Sequence, residues 1–357
     1  MSPVLAKPYL RARNGLGDLH ERLRAKDSTI AYMGASVTAQ KDGYRPRLHE
    51  LLRQATGRDH RAVAAGLGAM GAITGVFLMD ELVLAHRPEL TFVEYATSDV
   101  AGTTPPDQLG AVLEGIVCKL RAGGCEPCFL YLHRDDIELG TSAVVETYER
   151  VAEHHGVPSI DVSEWMRAAI EQGEVDGGAV LRDVVHTTDI GSALTAEAIW
   201  QALEGIPPGP PPARAPLRDD AFTRTRIEPP TPALAVGGPS TEGRFRLVYP
   251  YLEIDRAGEL RFTASGELVG LLLILGPHSG YIHVEALGEI AEHLLWDIEC
   301  SYERLGSLIL DHVVPTGTEV AIRLSGRTVD DSGAKRPVDP GQLAEKRLKL
   351  AGLMVRG

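Results

Sequence analysis

The sequence predicts an α/β domain followed by an all-β domain, and two observations carry this prediction. From about residue 28 to residue 205, short apolar runs alternate with amphipathic segments, which is typical of a parallel sheet with helices on both faces. Beyond a proline-rich stretch, short and often alternating apolar runs are separated by Gly, Pro or Asp. That pattern favours an antiparallel sandwich of the jelly-roll kind.

In the first part, strands are predicted where β-branched, aromatic and other apolar residues run together, at Thr29–Met33, Arg61–Ala65, Leu90–Ala96, Cys128–His133 and Ser159–Val162. Helices are predicted where apolar residues recur at helical spacing, at Tyr44–Gln54, Ile73–Ala85, Leu109–Arg121, Ser142–His155, Glu164–Glu171 and Ile190–Leu203. Strands and helices therefore alternate along this part of the chain, as in a three-layer α/β/α domain.

The stretch Pro207–Pro216, PPGPPPARAP, predicts a domain boundary, because its prolines suit a semi-rigid spacer and not a helix or a central strand. We therefore expect an α/β domain at 1–206, a linker at 207–224 and a β-sandwich at 225–357. Strands of the sandwich are predicted at Phe245–Ile254, Glu259–Thr263, Leu268–Leu275, Tyr281–Glu285, Leu294–Ser301, Leu308–Val313 and Thr318–Leu324.

Composition excludes several classes of protein. The 357 residues carry 36 basic and 49 acidic side chains, for a net charge of −13, which disfavours a nucleic-acid partner. No apolar run approaches the roughly 20 residues of a membrane-spanning helix, and the N-terminus has no apolar core of a signal peptide. We expect a cytoplasmic protein without a membrane partner; the oligomeric state is not predicted.

The four cysteines do not suggest a disulfide framework in a chain of this length. Cys125 and Cys128 form a CxxC pair, and Cys118 and His133 lie near it in sequence, so a metal site is one interpretation. Ordinary reduced thiols are favoured, because Cys128 opens the apolar run CFLYLH, which reads as a strand. No metal or organic cofactor is predicted.

The segment Gly34-Ala35-Ser36-Val37-Thr38 directly follows the first predicted strand. In an open parallel sheet, ligands bind beyond the carboxyl ends of the strands, so the Ser36 hydroxyl is placed where a site is expected. The alternative is a serine that caps the next helix.

A nucleophilic serine needs a base, and the base needs an orienting carboxylate. Asp183-Val184-Val185-His186 offers both within one loop, just before the last predicted helix of the α/β domain. The alternative is an ordinary solvated loop.

A Gly-rich turn follows the second predicted strand, and the turn Thr97-Ser98-Asp99 follows the third. Together with the Ser36 and Asp183/His186 motifs, these turns resemble the SGNH hydrolases, the GDSL-like esterases and lipases. The resemblance covers roughly residues 28 to 205 and implies a flavodoxin-like α/β/α domain. It also implies that Ser36 is the nucleophile, His186 the general base and Asp183 the carboxylate that orients the base.

The resemblance implies an oxyanion hole as well, formed by the N–H of Ser36, an N–H from the turn at Gly68 or Ala69, and a side chain at position 98. The chain departs from the family at the last of these, because EYATSD has Ser98 where the family has Asn. The single Asn of the sequence is Asn14, so another Asn cannot take that place.

A competing motif lies in the same domain. Gly66-Leu67-Gly68-Ala69-Met70-Gly71 satisfies GxGxxG, and Glu94 follows at the end of the next strand, where a ribose-binding acid of a dinucleotide site would lie. The motif follows the second strand of the domain and not the first, which disfavours this interpretation.

The expected function is a serine esterase that removes an acyl group from a small O-acylated molecule such as a sugar or a glycosylated metabolite. Acetyl is the favoured acyl group. One alternative is an acyltransferase that uses the same acyl-enzyme, and another is a catalytically silent binding module. In the second domain, Trp296, Tyr302 and His278 either contact a sugar or belong to the core and a tight turn.

Overall fold

The computed structural model describes residues 9–13, 16–209, 212, 214–246, 249–330, 333–338 and 345–357. The chain divides into two compact units, Met1–Thr223 and Arg224–Gly357. Among the described helices, none combines the length and the hydrophobicity needed to span a bilayer.

The first unit is built on one sheet of six described strands. Its strands are β1 (Leu10–Arg11), β2 (Thr29–Gly34), β3 (Arg61–Gly66), β4 (Leu90–Glu94), β5 (Glu126–Tyr131) and β6 (Ser159–Asp161). Their order across the sheet is β1-β6-β5-β4-β2-β3; β2 to β6 run parallel, and β1 pairs antiparallel with β6. Without β1 this is the flavodoxin-like strand order, as predicted.

Helices cover both faces of this sheet. They are α1 (Leu19–Ala25), α2 (Ser36–Ala39), α3 (Tyr44–Thr56), α4 (Ala72–Leu82), α5 (Ala96–Asp99), α6 (Pro106–Ala122), α7 (Ala143–His155), α8 (Val162–Glu171) and α9 (Asp189–Glu204). Helices α1, α3 and α9 share a core with alternate strand residues such as Tyr32 and Leu130. The intervening strand residues point to the other face, where Phe129 of β5 contacts Tyr148 of α7.

The described part of the proline-rich segment is held against the first unit. Gly209 exchanges two backbone hydrogen bonds with Gly17. The buried Glu114 of α6 accepts the N–H groups of Leu217 and Arg218 at 2.6 and 3.1 Å. Phe222 is buried and packs edge-on against the ring of Phe77. This segment therefore contributes to the α/β unit's own packing.

The second unit is a two-sheet β-sandwich, as predicted. Its described strands are β7 (Thr225–Glu228), β8 (Ala235–Val236), β9 (Ser240–Phe245), β10 (Tyr249–Ile254), β11 (Glu259–Thr263), β12 (Glu267–Leu275), β13 (Tyr281–Ala286), β14 (Glu289–Leu294), β15 (Arg304–Val314), β16 (Glu319–Leu324) and β17 (Leu348–Arg356). One sheet has the order β15-β12-β17-β10-β9, with β7 on β17, and the other β14-β13-β16-β11-β8. The second core lies among their apolar side chains.

Two strand predictions in this unit were wrong, and one central strand was missed. The predicted strand from Phe245 to Ile254 is divided in the structure: Phe245 ends β9, and a separate strand that begins at Tyr249 pairs antiparallel with β9. Leu294–Ser301 is not a strand: Leu294 ends β14, residues 295–297 have no regular structure, and residues 298–301 form a turn. Leu348–Arg356 was not predicted as a strand, yet it pairs with β12, β10 and β7.

Candidate active site

Three neighbouring strands end side by side at the edge of the first sheet. Gly34 of β2 is in register with Gly66 of β3 and with Glu94 of β4, so the chain leaves the sheet at three adjacent points. Ser36, two residues after Gly34, is the first residue of α2. Ala35 is the N-cap of this helix and makes no side-chain capping bond. Ser36 is therefore not the cap of this helix, and its hydroxyl is available for another partner.

That partner is His186. The Nε2 atom of His186 lies 2.9 Å from the Ser36 hydroxyl oxygen, and its Nδ1 atom lies 2.8 Å from Oδ2 of Asp183. With Nδ1–H donating to the carboxylate, Nε2 is the nitrogen that can accept the serine proton. The structure thus brings together the three side chains predicted as nucleophile, base and orienting acid.

The electrostatics of Asp183 suit an orienting carboxylate. Partial burial raises its pKa, but hydrogen bonds from the N–H groups of His186 and Val185 and from the imidazole outweigh this effect, and the pKa of Asp183 falls to about 2. The carboxylate remains ionised throughout the neutral range. Its side chain is 50% exposed and that of His186 is 30% exposed, so the pair lies at the surface.

Contacts that the sequence did not reveal hold the His186 loop in place. Arg182 N–H donates to the carbonyl of His186 at 2.8 Å, and Asp135 N–H donates to the carbonyl of Val184 at 3.1 Å. Gln40, just after α2, donates to the carbonyl of Thr187 at 2.9 Å. The last contact ties the serine-bearing turn directly to the histidine-bearing loop, and Gln40 belongs to no motif that could have indicated it.

The groups predicted to form the oxyanion hole lie on the segments that follow β2, β3 and β4 at this edge of the sheet. Ser36 is the first helical residue, so its N–H lacks an acceptor within the helix. Gly68 follows β3, and a Cβ on it would lie 4.0 Å from that of Ser36. Ala69 has φ +57°, a region that residues other than Gly rarely adopt. Among the described residues, no hydrogen bond engages the N–H of Gly68 or Ala69.

Ser98 lies in α5, four residues beyond the end of β4, and is half-buried. Its N–H donates to the carbonyl of Tyr95 at 2.9 Å, so only its hydroxyl is a candidate donor to an oxyanion. The side chain is a single hydroxyl on one carbon, which reaches less far than the amide that stands there in the family.

The glycine-rich turn does not form a dinucleotide site. Glu94, the candidate ribose ligand, is fully buried and accepts hydrogen bonds from the hydroxyls of Thr38 and Thr97. Packing explains the first and last glycines, since a Cβ on Gly66 would lie 2.4 Å from the backbone nitrogen of Ala39 and one on Gly71 would lie 2.5 Å from Oδ1 of Asp99. The competing interpretation is therefore not supported.

The cysteines are packed as ordinary side chains. Cys128 belongs to the core beneath α3 and α9, and Cys125 lies 3.0 Å from the hydroxyl of Thr91. Burial raises the pKa of the Cys125 thiol to about 12 and that of Cys128 further, whereas metal binding requires the thiolate.

A different cluster has the residue types of a metal site. Ligand atoms of Glu114, His154 and His155 lie within 4.8 Å of one another. Each already has a partner: Glu114 accepts from His155 and from two backbone N–H groups, and His154 donates to the carbonyl of Ala215. These contacts explain the cluster as the attachment of the proline-rich segment.

In the second unit, two of the three candidate sugar contacts are buried. Trp296 is 9% exposed and His278 is 8% exposed, so the core interpretation is correct for both. Tyr302 is exposed, and the guanidinium of Arg336 lies 5.9 Å from its ring centre.

Comparisons with known proteins agree with this architecture. Residues 27–194 match the model of the GDSL-like lipase/acylhydrolase family; no curated protein sequence matches the chain. A solved structure of a two-domain esterase active on acetylated mannans is similar, with 14% identity, a TM-score of 0.76 and coverage of 98% of this chain and 99% of that one. The structure of the same esterase co-crystallised with mannopentaose has 15% identity and a TM-score of 0.77, and the match covers 97% of this chain and 96% of that one.

At these identities the structural likeness establishes the fold. The order of motifs, the strand topology and the Ser36, His186 and Asp183 contacts all lie within the segment that the family model matches. The chain therefore contains a GDSL-like lipase/acylhydrolase domain, a serine hydrolase domain of the SGNH type, followed by a β-sandwich domain.

Proposed function

We propose that this protein is a carbohydrate O-acetylesterase that works through an acyl-enzyme on Ser36. The observation that carries the proposal is the continuous relay from Ser36 through His186 to Asp183, with distances of 2.9 and 2.8 Å. Such a relay activates a hydroxyl for attack on a carbonyl carbon.

In the first half of the reaction, Ser36 Oγ bonds to the acetyl carbonyl carbon while His186 Nε2 takes the hydroxyl proton. The carbonyl π electrons move to oxygen, and the oxyanion is stabilised by the N–H of Ser36, an N–H of the Gly68 and Ala69 turn, and the hydroxyl of Ser98. The carbon–oxygen bond to the sugar then breaks, and the sugar oxygen takes the proton from Nε2.

In the second half, water repeats the sequence. His186 Nε2 takes a proton from water as its oxygen attacks the acetyl-enzyme, and the same groups hold the second oxyanion. Collapse returns the proton to Ser36 Oγ and releases acetate. Asp183 remains ionised throughout and stabilises the imidazolium in both halves.

One observation supports a carbohydrate as the alcohol. A solved structure that is similar to this chain over both domains is that of an esterase active on acetylated mannans.

The test combines covalent labelling with turnover. Intact mass is measured after incubation with a fluorophosphonate, for the wild type, Ser36→Ala, His186→Gln and the matched control His133→Gln. His133 has its own carboxylate partner, Asp135, at 3.1 Å, but no serine among the described residues is hydrogen-bonded to its ring. Acetate release is then measured from acetylated manno-oligosaccharides and from 4-nitrophenyl acetate and butanoate.

We expect one adduct on the wild type and on His133→Gln, none on Ser36→Ala, and slow labelling of His186→Gln. Acetate release should follow the same order, with acetyl preferred over butanoyl. A folded wild type that neither reacts with the phosphonate nor releases acetate would refute the enzyme and leave a binding module. Acetyl transfer to an added sugar in preference to water would instead identify an acyltransferase.

A further inference from the structure

We propose that Glu94 is a positioning residue that sets the nucleophile turn and the Ser98 turn at a fixed distance from each other. The inference rests on the proposed function, since it assigns how that site is held. Glu94 ends β4, the strand next to β2, and its side chain is 0% exposed. A carboxyl group in such a place is costly unless it is hydrogen-bonded.

The two carboxyl oxygens of Glu94 bond to the two different turns. Oε2 accepts from the hydroxyl of Thr38 at 2.9 Å, and Thr38 lies in α2, two residues after Ser36. Oε1 accepts from the hydroxyl of Thr97, the residue that precedes Ser98. One buried side chain thus contacts both short helices that carry the candidate nucleophile and an oxyanion donor.

The backbone of Glu94 adds a third contact to the same assembly. Its carbonyl accepts the N–H of Ala35 at 3.1 Å, immediately before Ser36. The space is closely filled as well, because a Cβ on Gly34 would lie 2.4 Å from the carbonyl oxygen of Glu94 and 2.4 Å from the hydroxyl of Thr38. The nucleophile turn is therefore packed closely against the backbone at the end of β4, and the side chain of Glu94 adds the bonds to Thr38 and Thr97.

The hydrogen-bond chain continues beyond the site. The hydroxyl of Tyr44, at the start of α3, lies 2.9 Å from that of Thr38. Burial raises the pKa of Glu94 to about 7, although the bonds from Thr97 and Thr38 lower it. An acid stands at this position despite that desolvation, which agrees with a role in geometry that needs two hydrogen-bonding atoms on one buried side chain.

Glutamine offers a test of this role. It has the same shape, and because hydroxyls both donate and accept, Thr38 or Thr97 can reverse its bond to meet the amide. Alanine removes both bonds. A displacement of about 1 Å at a reacting centre can cost about 100-fold in rate, which is the scale expected for Glu94→Ala.

The experiment measures kcat and KM with 4-nitrophenyl acetate, the rate of phosphonate labelling of Ser36, and the melting temperature. The variants are Glu94→Ala, Glu94→Gln and Thr38→Val, and the matched control is Glu114→Gln. Glu114 is an equally buried acid in the same unit, but it holds the proline-rich segment. Thr38→Val removes the bond to Glu94, together with the contact with the hydroxyl of Tyr44, with little change of volume, and it covers the case in which Glu94→Ala does not fold.

We expect Glu94→Ala to lose about 100-fold in kcat and in labelling rate with KM changed less than about threefold. Thr38→Val should lose about tenfold, and Glu94→Gln should recover most of the rate. Glu114→Gln should lower the melting temperature and leave kcat unchanged.

Three results would overturn the inference: folded variants at Glu94 and Thr38 with wild-type kcat, losses that appear in KM alone, or a Gln variant as impaired as the Ala variant. The last result would assign the effect to charge and not to positioning. A wild type without esterase activity or labelling would instead refute the proposed function, so the two failures are distinguishable.

Discussion

Replacing Asp183 by Asn separates two roles of this side chain: holding the backbone of the loop and supplying a negative charge to the imidazole of His186. Oδ1 of Asp183 accepts the N–H groups of Val185 at 3.0 Å and of His186 at 2.8 Å, and an Asn oxygen can keep both bonds. The imidazole Nδ1–H contact loses its ionised acceptor. We therefore expect the loop to keep its shape and the reaction to slow.

The two effects have different magnitudes. The pKa of Asp183 falls from 3.8 to about 2, which corresponds to roughly 2.4 kcal/mol at about 1.36 kcal/mol per pH unit. Because the side chain is 50% exposed, screening by water reduces this to about 1 kcal/mol or less. The pKa is lower in the folded state, so this stability is present above about pH 4 and is lost as the pH falls toward 2.

The catalytic effect should be larger. The corresponding Asp→Asn change lowers turnover about 10⁴-fold in a serine protease whose acid is buried. Since Asp183 is half-exposed, we expect a loss of about 100- to 1000-fold in kcat, equivalent to about 3 to 4 kcal/mol. KM should change little, because the carboxylate acts on the imidazolium that forms only during the reaction.

The assay compares kcat, KM and chemical denaturation at pH 7.5 for Asp183→Asn and the control Asp135→Asn. Asp135 is 54% exposed and contacts the ring of His133. Asp135→Asn therefore makes the same change in an exposed Asp–His pair that is not bonded to Ser36. The control should keep kcat within about twofold. A loss below tenfold in Asp183→Asn, or an equal loss in both variants, would refute the reasoning.

Three further outcomes are expected. Ser98→Asn should raise kcat about tenfold by supplying an amide donor to the oxyanion; a lower kcat would show that position 98 does not serve it. Gly34→Ala should prevent folding, by circular dichroism, because its Cβ would lie 2.4 Å from the backbone oxygen of Glu94, whereas Gly68→Ala should fold. Phe222→Ala should lower the free energy of unfolding by about 3 kcal/mol without changing kcat. An unchanged free energy of unfolding would contradict the packing of Phe222 against the α/β unit.

Local sequence patterns were sufficient for the strands β2, β4, β5 and β6 of the α/β unit because these strands are buried on both faces. The short elements β1, α1, α2 and α5 were not predicted. Buried parallel strands read as continuous apolar runs such as those at Tyr32 and Phe92, and the helices between them have a different period. The sandwich was harder to predict. The strand Leu348–Arg356 follows a long stretch of mixed composition, and its central position depends on pairing with β12, distant in sequence.

The pairing of β9 with β10 shows the same limit. The apolar run from Phe245 to Ile254 has no sequence signal for a break, so one strand was predicted where two strands pair with each other. Trp296 and His278 show it for side chains, because burial depends on which elements pack over a residue and not on its neighbours in sequence. Both cases depend on contacts between segments that are not neighbours in sequence.

The sequence alone determined the residue types and the order of the motifs. A serine after the first strand of the parallel sheet, a glycine turn after the second, and an Asp and a His three residues apart near the end of the domain indicate the chemistry, because strand order places these ends at one edge. The substitution of Ser98 for the family's Asn is also evident from sequence.

Only the tertiary structure decided which groups meet. The contact of Ser36 with His186 joins residues 150 positions apart, and the contact of Gln40 with Thr187 joins residues 147 positions apart. Neither contact can be predicted from the residues that are adjacent in sequence. Glu94 is the clearest case, since in sequence it suits a ribose ligand, and in the fold it is a buried acid between two turns. Burial and hydrogen bonding are properties of the packed chain, and they assign its role.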